Sequence, residues 1–342
     1  MHGVRRLLEG PRGREARLLA HRLKTGILLL NLGGPGTLDD VRPFLTRLFT
    51  DREIIQLPGG PIGQAVIGRM IARARTREVQ ENYKKIGGGS PILRWTTLQG
   101  RGLTERLRAR GHDVDFALCM RYWDPTTDDA LDEMEAKKVD RLLALTLYPH
   151  YSIATTGSSL AELKRRMVRR RSQLPLDVID RWYDHPGYVR ALAERASVAL
   201  QGFAPGSKPT VLVSAHGLPQ HFIDAGDPYV DHIKTTMRMV LAQLPPLPNA
   251  LAYQSRVGPV PWIGPSTDEE IDRLAAAGVR ELLVIPISFV SDHIETLYEV
   301  DMLYGDQAAR RGITTYRRAE SLNDSPLFLD ALADLVEPRL RA

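Results

Sequence analysis

Cysteine is almost absent from this chain: Cys119 stands alone. A single thiol excludes an internal disulfide, an all-cysteine zinc site and a four-thiolate iron–sulfur cluster. It sits in the apolar run 116–120, where a buried inert thiol is expected, and its solitude fits a reducing, cytoplasmic compartment. Long hydrophobic runs are missing too. No stretch of about 18 apolar residues occurs, so no transmembrane helix is encoded. The body also lacks an excess of either charge. The formal net charge is +5, and residues 1–24 carry seven Lys/Arg against two acids, which leaves 39 of each sign in residues 25–342. A balanced body gives no reason to expect a nucleic-acid partner. Residues 1–24 lack the continuous apolar core of a secretory signal, and Glu9 and Glu15 are out of place in an Arg-rich transit peptide, so this segment reads as a basic N-terminal extension.

What the sequence does hold is the rhythm of a parallel α/β protein. Its 342 residues, 43% apolar and 25% charged, suit two lobes of ordinary size. Continuous apolar runs of strand length recur at 26–32, 114–119, 141–147, 176–179, 210–214, 250–254 and 281–288. Segments of helical period alternate with them, among others 97–110, 127–136, 159–171 and 186–200. Such alternation implies right-handed βαβ units. The fold expected is α/β, with two similar Rossmann-like lobes, each a mostly parallel sheet flanked by helices. The first lobe is expected over 25–172, with an apolar lip at 54–71, and the second over 173–325, with a helix at 326–342 packing back on the body through Leu327, Phe328, Leu332, Leu335 and Val336.

Ligands of open α/β sheets sit beyond the carboxyl ends of strands, so unusual residues at those ends are informative. His216 follows the run 210–214 directly and is held in a short turn by Gly217 and Pro219. A neutral imidazole there can ligate a metal or accept a proton near neutral pH. Its competing role is to bond loop backbone and nothing more. The run 281–288 leads into a second, acidic strand end that contains Asp292, His293, Glu295 and Glu299. Asp292 suits a helix N-cap, and Glu295 and Glu299, four apart, share one helical face. Stacked carboxylates repel one another unless a cation or protons pass between them; the alternative is a solvated acidic face.

Rigid loops after other strands present Arg121, Tyr122 and Trp123, then Tyr148 to Tyr151, then Trp262. Aromatic rings so placed suit a flat apolar ligand with polar edges. The turn 33–36 is rich in glycine but does not spell a dinucleotide fingerprint, and Pro35 has no amide to donate. The apolar, glycine-bearing stretch 54–71 stands beside Arg69, Arg73, Arg75 and Arg77. It suits a membrane-surface contact, a flap over an apolar pocket, or a buried helix.

Nine segments, in order, then make the chain resemble the ferrochelatases, which insert ferrous iron into a porphyrin. They are 30–35, 83–91, 120–122, 148–151, 155–159, 214–216, 254–259, 261–265 and 291–297. The resemblance implies a porphyrin cleft between the lobes, with His216 and Glu295 as the pair that handles metal and protons. It sets Ile55, Arg121, Tyr122 and Trp262 around the macrocycle and Lys85 at its propionates. Asp292, His293 and Glu299 would pass protons or iron. Fe(II) is a substrate, no cofactor is permanently bound, and Cys119 alone implies a short bacterial form without an iron–sulfur cluster. The 258–262 loop and the Thr-Thr-Gly-Ser-Ser run resemble the branch that uses protoporphyrin rather than coproporphyrin. A chelatase for another tetrapyrrole and a non-catalytic porphyrin carrier are the alternatives. A cytoplasmic monomer or homodimer is expected, and the resemblance puts the lip 54–71 against the membrane, on the inner face of the cell membrane.

Overall fold

The computed structural model describes residues 23–53, 57–256, 258 and 260–341. The expected basic extension therefore lies outside the described residues except for Leu23 and Lys24, and so does Ile55. In chain order the first half runs β1 (Thr25–Asn31), α1 (Val41–Phe49), α2 (Gly60–Lys85), α3 (Ile92–Ala109), β2 (Val114–Met120), α4 (Thr127–Ala136), β3 (Arg141–Thr146), a π-helical turn π1 (Ile153–Gly157), α5 (Ser158–Arg170) and β4 (Leu176–Ile179). The second half runs α6 (Pro186–Leu200), β5 (Thr210–His216), α7 (Gln220–Asp224), α8 (Tyr229–Leu241), β6 (Asn249–Gln254), α9 (Thr267–Ala276), β7 (Glu281–Pro286), a π-helix π2 (Glu295–Tyr304), α10 (Gly305–Arg310), β8 (Thr315–Arg318) and α11 (Pro326–Leu340).

Two four-stranded sheets result, in the orders β2-β1-β3-β4 and β6-β5-β7-β8, and every pairing is parallel. The same order in both halves makes the two lobes topological copies. β1 shows why the apolar runs are continuous: all seven residues are buried. Ile27 and Leu29 face one core, and Leu28 and Leu30 face another on the opposite side of the sheet. The core of Ile27 and Leu29 also takes in Val211 and Val213 of β5, Leu283 and Ile285 of β7, and Phe328 and Leu332 of α11. The two sheets are thus joined across one apolar interior. Local sequence sets the helix starts. Thr126 and Asp129 form a reciprocal capping box before α4, the Ser266 amide donates to the Glu269 carboxylate at 3.0 Å before α9, and Pro186 occupies the first turn of α6.

The lobe boundary differs from the one drawn at 172/173. β4 pairs with β3, from Leu142–Leu176 to Leu145–Ile179, so residues 176–179 are the edge strand of the first sheet. The polar, proline-bearing loop 172–175 is only the connection between α5 and that strand. α11 lies against α3 of the first lobe and α6 at the start of the second. Arg106 of α3 and Arg110, the residue that caps its C-terminus, reach Asp330, Asp334 and Glu337 along it. Of the expected lip 54–71, residues 60–71 all fall in α2, a single helix of 26 residues. Its buried side carries Gln64, Gly68 and Ala72, while Ile62, Val66 and Met70 face outward. Among the described residues no helix is long and apolar enough to cross a membrane.

Candidate active site

In each sheet the two central strands end at one cleft. Asn31 ends β1 and Leu32 follows it, Leu147, Tyr148 and His150 follow β3, His216 closes β5, and Ser288, Phe289, Val290, Ser291 and His293 follow β7; all of them line it. This is where a parallel sheet leaves backbone and side chains free for a ligand. The walls are mostly apolar, with Ile92, Leu218, Phe289 and Val290 beside the polar groups.

His216 and Glu295 meet there. The imidazole Nδ1 lies 2.9 Å from Glu295 Oε2. The same carboxylate oxygen accepts from Ser255 Oγ at 3.2 Å and from Gln254 Nε2 at 3.4 Å. Ser255 takes a left-handed backbone (φ 68°) to aim its hydroxyl, a conformation that costs a non-glycine residue energy. That hydroxyl also lies 2.7 Å from Glu299 Oε2. His293 stands on the other side of Glu295. Its Nδ1 faces the Ser291 carbonyl at 3.1 Å, which it can approach only as a donor, and its Nε2 is 3.9 Å from Glu295 Oε1. The Phe289 ring contacts both imidazoles, with centroids 6.0 Å from His216 and 4.3 Å from His293.

The electrostatics follow from this crowding. Burial opposes charge on His216, but the Glu295 carboxylate outweighs it and raises the imidazole above its ordinary pKa. Burial likewise works against ionised Glu295, and the His216 imidazole overcomes it, holding the acid well below the usual carboxylate range. Glu299 goes the other way. Burial, and then the charge of Glu295, push it up to about 7. His293 is lowered by burial and is therefore neutral at pH 7. An ionised carboxylate on His216 Nδ1 fixes the tautomer and leaves Nε2 as a basic lone pair. The arrangement can accept a proton, offer one nitrogen and one carboxylate oxygen to a divalent cation, and exchange protons at Glu299 near neutral pH. Among the described residues no group of three or more His, Cys, Asp or Glu side chains is gathered to cage an ion.

The other expected site residues are placed differently. Asp292 is not an N-cap, a position held by Ile294. Its Oδ1 accepts from Arg318, Ser321 and Thr296 and its Oδ2 from Asn323, so its lone pairs are committed away from Glu295 and Glu299. The segment holding the two glutamates is a π-helix rather than an α-helix. Tyr122 is buried and donates to Asp51 Oδ2 at 2.7 Å. Arg121 pairs with Asp51 and Glu53 and donates through Nε to Ser158. Lys85 Nζ lies 4.8 Å above the Tyr298 ring of π2. Trp262 bridges to Pro219 in the turn after His216. None of these four lines the cleft around His216. Sequence reasoning did not single out Tyr229, Ser255 or Ser288, which order the pair. Only the place of Ser255 and Ser288 just after strands could have drawn attention to them.

Residues 24–340 match the family model described as Ferrochelatase. A protein named Ferrochelatase from Geotalea daltonii is 48% identical over 314 residues, covering 92% of this chain and 97% of that protein. Another of that name from Synechocystis sp. is 46% identical over 317 residues, covering 92% and 82%. Among solved structures, SirB from Bacillus subtilis with Fe3+ superposes with a TM-score of 0.55 at 12% identity, over 92% of this chain and 95% of that one, a likeness of fold. On the match over nearly its whole length, and with relatives at this level of identity, the chain belongs to the ferrochelatase family.

Proposed function

We propose that this ferrochelatase works on protoporphyrin IX, with His216 and Glu295 as the reacting pair. Insertion of Fe(II) into the free base forms four nitrogen–iron bonds and releases two pyrrole protons. His216 Nε2 takes a pyrrole proton or holds the entering ion, while Glu295, ionised beside it, balances the positive charge that builds on the imidazole. Glu299 then carries a proton away, because a carboxyl near 7 accepts and releases it at neutral pH. The observation that carries this reading is the 2.9 Å contact of His216 Nδ1 with Glu295 Oε2 at the convergence of four strand ends.

Lys85, Arg121, Tyr122 and Trp262 belong, on this reading, to the outer part of the macrocycle site, which the resemblance supports. Protoporphyrin rather than coproporphyrin rests on the 258–262 loop and the Thr155–Ser159 run. The reading includes no iron–sulfur cluster, since Cys119, the single cysteine, is buried against Thr127. It also includes contact with a membrane surface. Ile62, Val66 and Met70 form an outward apolar line at every fourth residue of α2, beside exposed Arg69, Arg73 and Arg77.

Anaerobic incubation with Fe(II) and either protoporphyrin or coproporphyrin, followed by loss of free-base fluorescence, tests the assignment. Protoporphyrin is consumed faster, and His216→Ala lowers kcat by about 10²-fold or more while free-base porphyrin still binds. Normal turnover by His216→Ala would refute the role given to the pair. Tight binding without iron consumption by the unaltered chain would mark a carrier.

A further inference from the structure

The π-helix 295–304 carries Glu295 and Glu299, yet a π-helix is the form of helix least able to hold itself. One residue outside it is bonded both to its last turn and to the segment that leads into it. Arg318, the last residue of β8, has a side chain only 9% exposed. Its Nε and Nη2 fork onto the two oxygens of Asp301, at 2.7 and 3.0 Å, in the last turn of the helix. Its Nη1 donates to Asp292 Oδ1 at 3.0 Å, three residues before the first turn. The planar guanidinium thus spans the helix from a strand of the sheet.

We propose that Arg318 is a positioning residue for iron insertion: it fixes the register of the π-helix, so that Glu295 meets His216 and Glu299 meets Ser255. It touches neither glutamate. Lysine cannot replace it, because one ammonium cannot present a fork to Asp301 and a third donor to Asp292 together. The inference rests on the reading of Glu295 as a reacting group.

The test uses the full chain with Arg318→Gln, Arg318→Lys and Asp301→Asn, and Arg311→Gln as a control that removes another forked pair, Arg311–Asp272, from the same lobe. Steady-state iron insertion, free-base porphyrin binding and amide exchange of peptides spanning 295–304 are measured. Both Arg318 variants should lose at least tenfold in kcat with KM for porphyrin changed less than threefold, and exchange across 295–304 should rise. Arg311→Gln should change none of these. Asp301→Asn, at the more exposed end, should lose about threefold in kcat, and it decides the matter if the Arg318 variants do not fold. A folded Arg318 variant with kcat within twofold of the unaltered protein overturns the proposal, as does an unaltered kcat in Asp301→Asn. If the unaltered chain inserts no iron, the functional reading fails instead. The exchange data still judge the clamp in that case: unchanged protection of 295–304 in Arg318→Gln refutes it.

Discussion

Tyr229 holds the main chain of His216 through a closed ring of three hydrogen bonds. The His216 amide donates to Ser288 Oγ at 3.0 Å, and the Tyr229 hydroxyl donates to the His216 carbonyl at 3.0 Å. The 2.7 Å contact between the two hydroxyls is then a donation from Ser288 to Tyr229. Each hydroxyl donates once and accepts once, so the ring is fully satisfied and the end of β5 cannot turn without breaking it.

Tyr229→Phe removes one donor and one acceptor from that ring. It leaves the His216 carbonyl without this donor and the Ser288 hydroxyl hydrogen without an acceptor, although Ser288 Oγ still accepts from the His216 amide, at about 1–3 kcal/mol. The larger effect falls on the direction of the imidazole. The expected outcome is a kcat lowered about tenfold with porphyrin affinity retained, because a small misplacement of a reacting group is expensive. Steady-state rates alongside a fluorescence binding titration check it.

Glu299 and His216 set the expected pH dependence. Glu299 ionises near 7, and its charge helps raise His216. The base role proposed for His216 needs a neutral imidazole, so kcat should climb with rising pH through the raised imidazole value, with Glu299 adding a second ionisation near 7. Glu299→Gln removes that second ionisation. It also removes one of the charges that hold His216 up, so the remaining climb moves to lower pH. Initial rates of anaerobic iron insertion between about pH 5.5 and 8.5 read both changes. A profile identical to that of the unaltered protein would exclude Glu299 from the proton path.

Much of this architecture is legible in the chain itself, and the parts that are not share a cause. Fully buried strands write themselves as unbroken apolar runs, so β1, with all seven residues buried, stands within one residue of its run, and the helices α4 and α6 stand where the periodicity put them. His216 and Glu295 could be named because each follows such a run. The pairing of β4 with β3 could not be read, since a loop of 172–175 looks the same within a lobe as between two. An acid just before a helix reads as an N-cap, and nothing local reveals that the partners of Asp292 lie 26 and 31 residues further on, at Arg318 and Asn323. A spacing of four fits a π-helix as well as an α-helix, so Glu295 and Glu299 share a face in either and the helix type stays hidden.

The Asp292 carboxylate is a stability element as well. Burial would raise its pKa, but Arg318, Asn323 and the Ser321 and Thr296 hydroxyls hold it below the usual aspartate value. Asp292→Ala leaves Arg318 Nη1 and the Asn323 amide without their acceptor, while Asp301 still balances the guanidinium, and should cost about 1–3 kcal/mol. A carboxylate with a depressed pKa gives its stability above the unfolded value of about 3.9 and loses it as pH falls through the lower folded value. The difference between the unaltered protein and Asp292→Ala should therefore be full at neutral pH and shrink in acid. Urea midpoints taken at several pH values measure it.

Gly187 makes the strap of α11 possible. A Cβ at Gly187, in the first turn of α6, would lie 2.8 Å from Ala331 Cβ and 3.2 Å from Ala331 Cα. The two helices therefore approach almost backbone to backbone. Across the same helix, a Cβ at Gly102 of α3 would meet Leu329. α11 is thus wedged between the lobes by two small residues. Gly187→Ala gains up to about 1 kcal/mol of helix propensity in α6, but it forces α11 outward at about 1–3 kcal/mol. The net expectation is a lower thermal midpoint, by about 2–4 °C for each kcal/mol lost, with KM for porphyrin unchanged because the cleft lies elsewhere. The reciprocal variant Gly187→Ala with Ala331→Gly restores the space and should recover most of the midpoint. A double variant no more stable than Gly187→Ala alone would show that the close approach to Ala331 is not what the glycine provides.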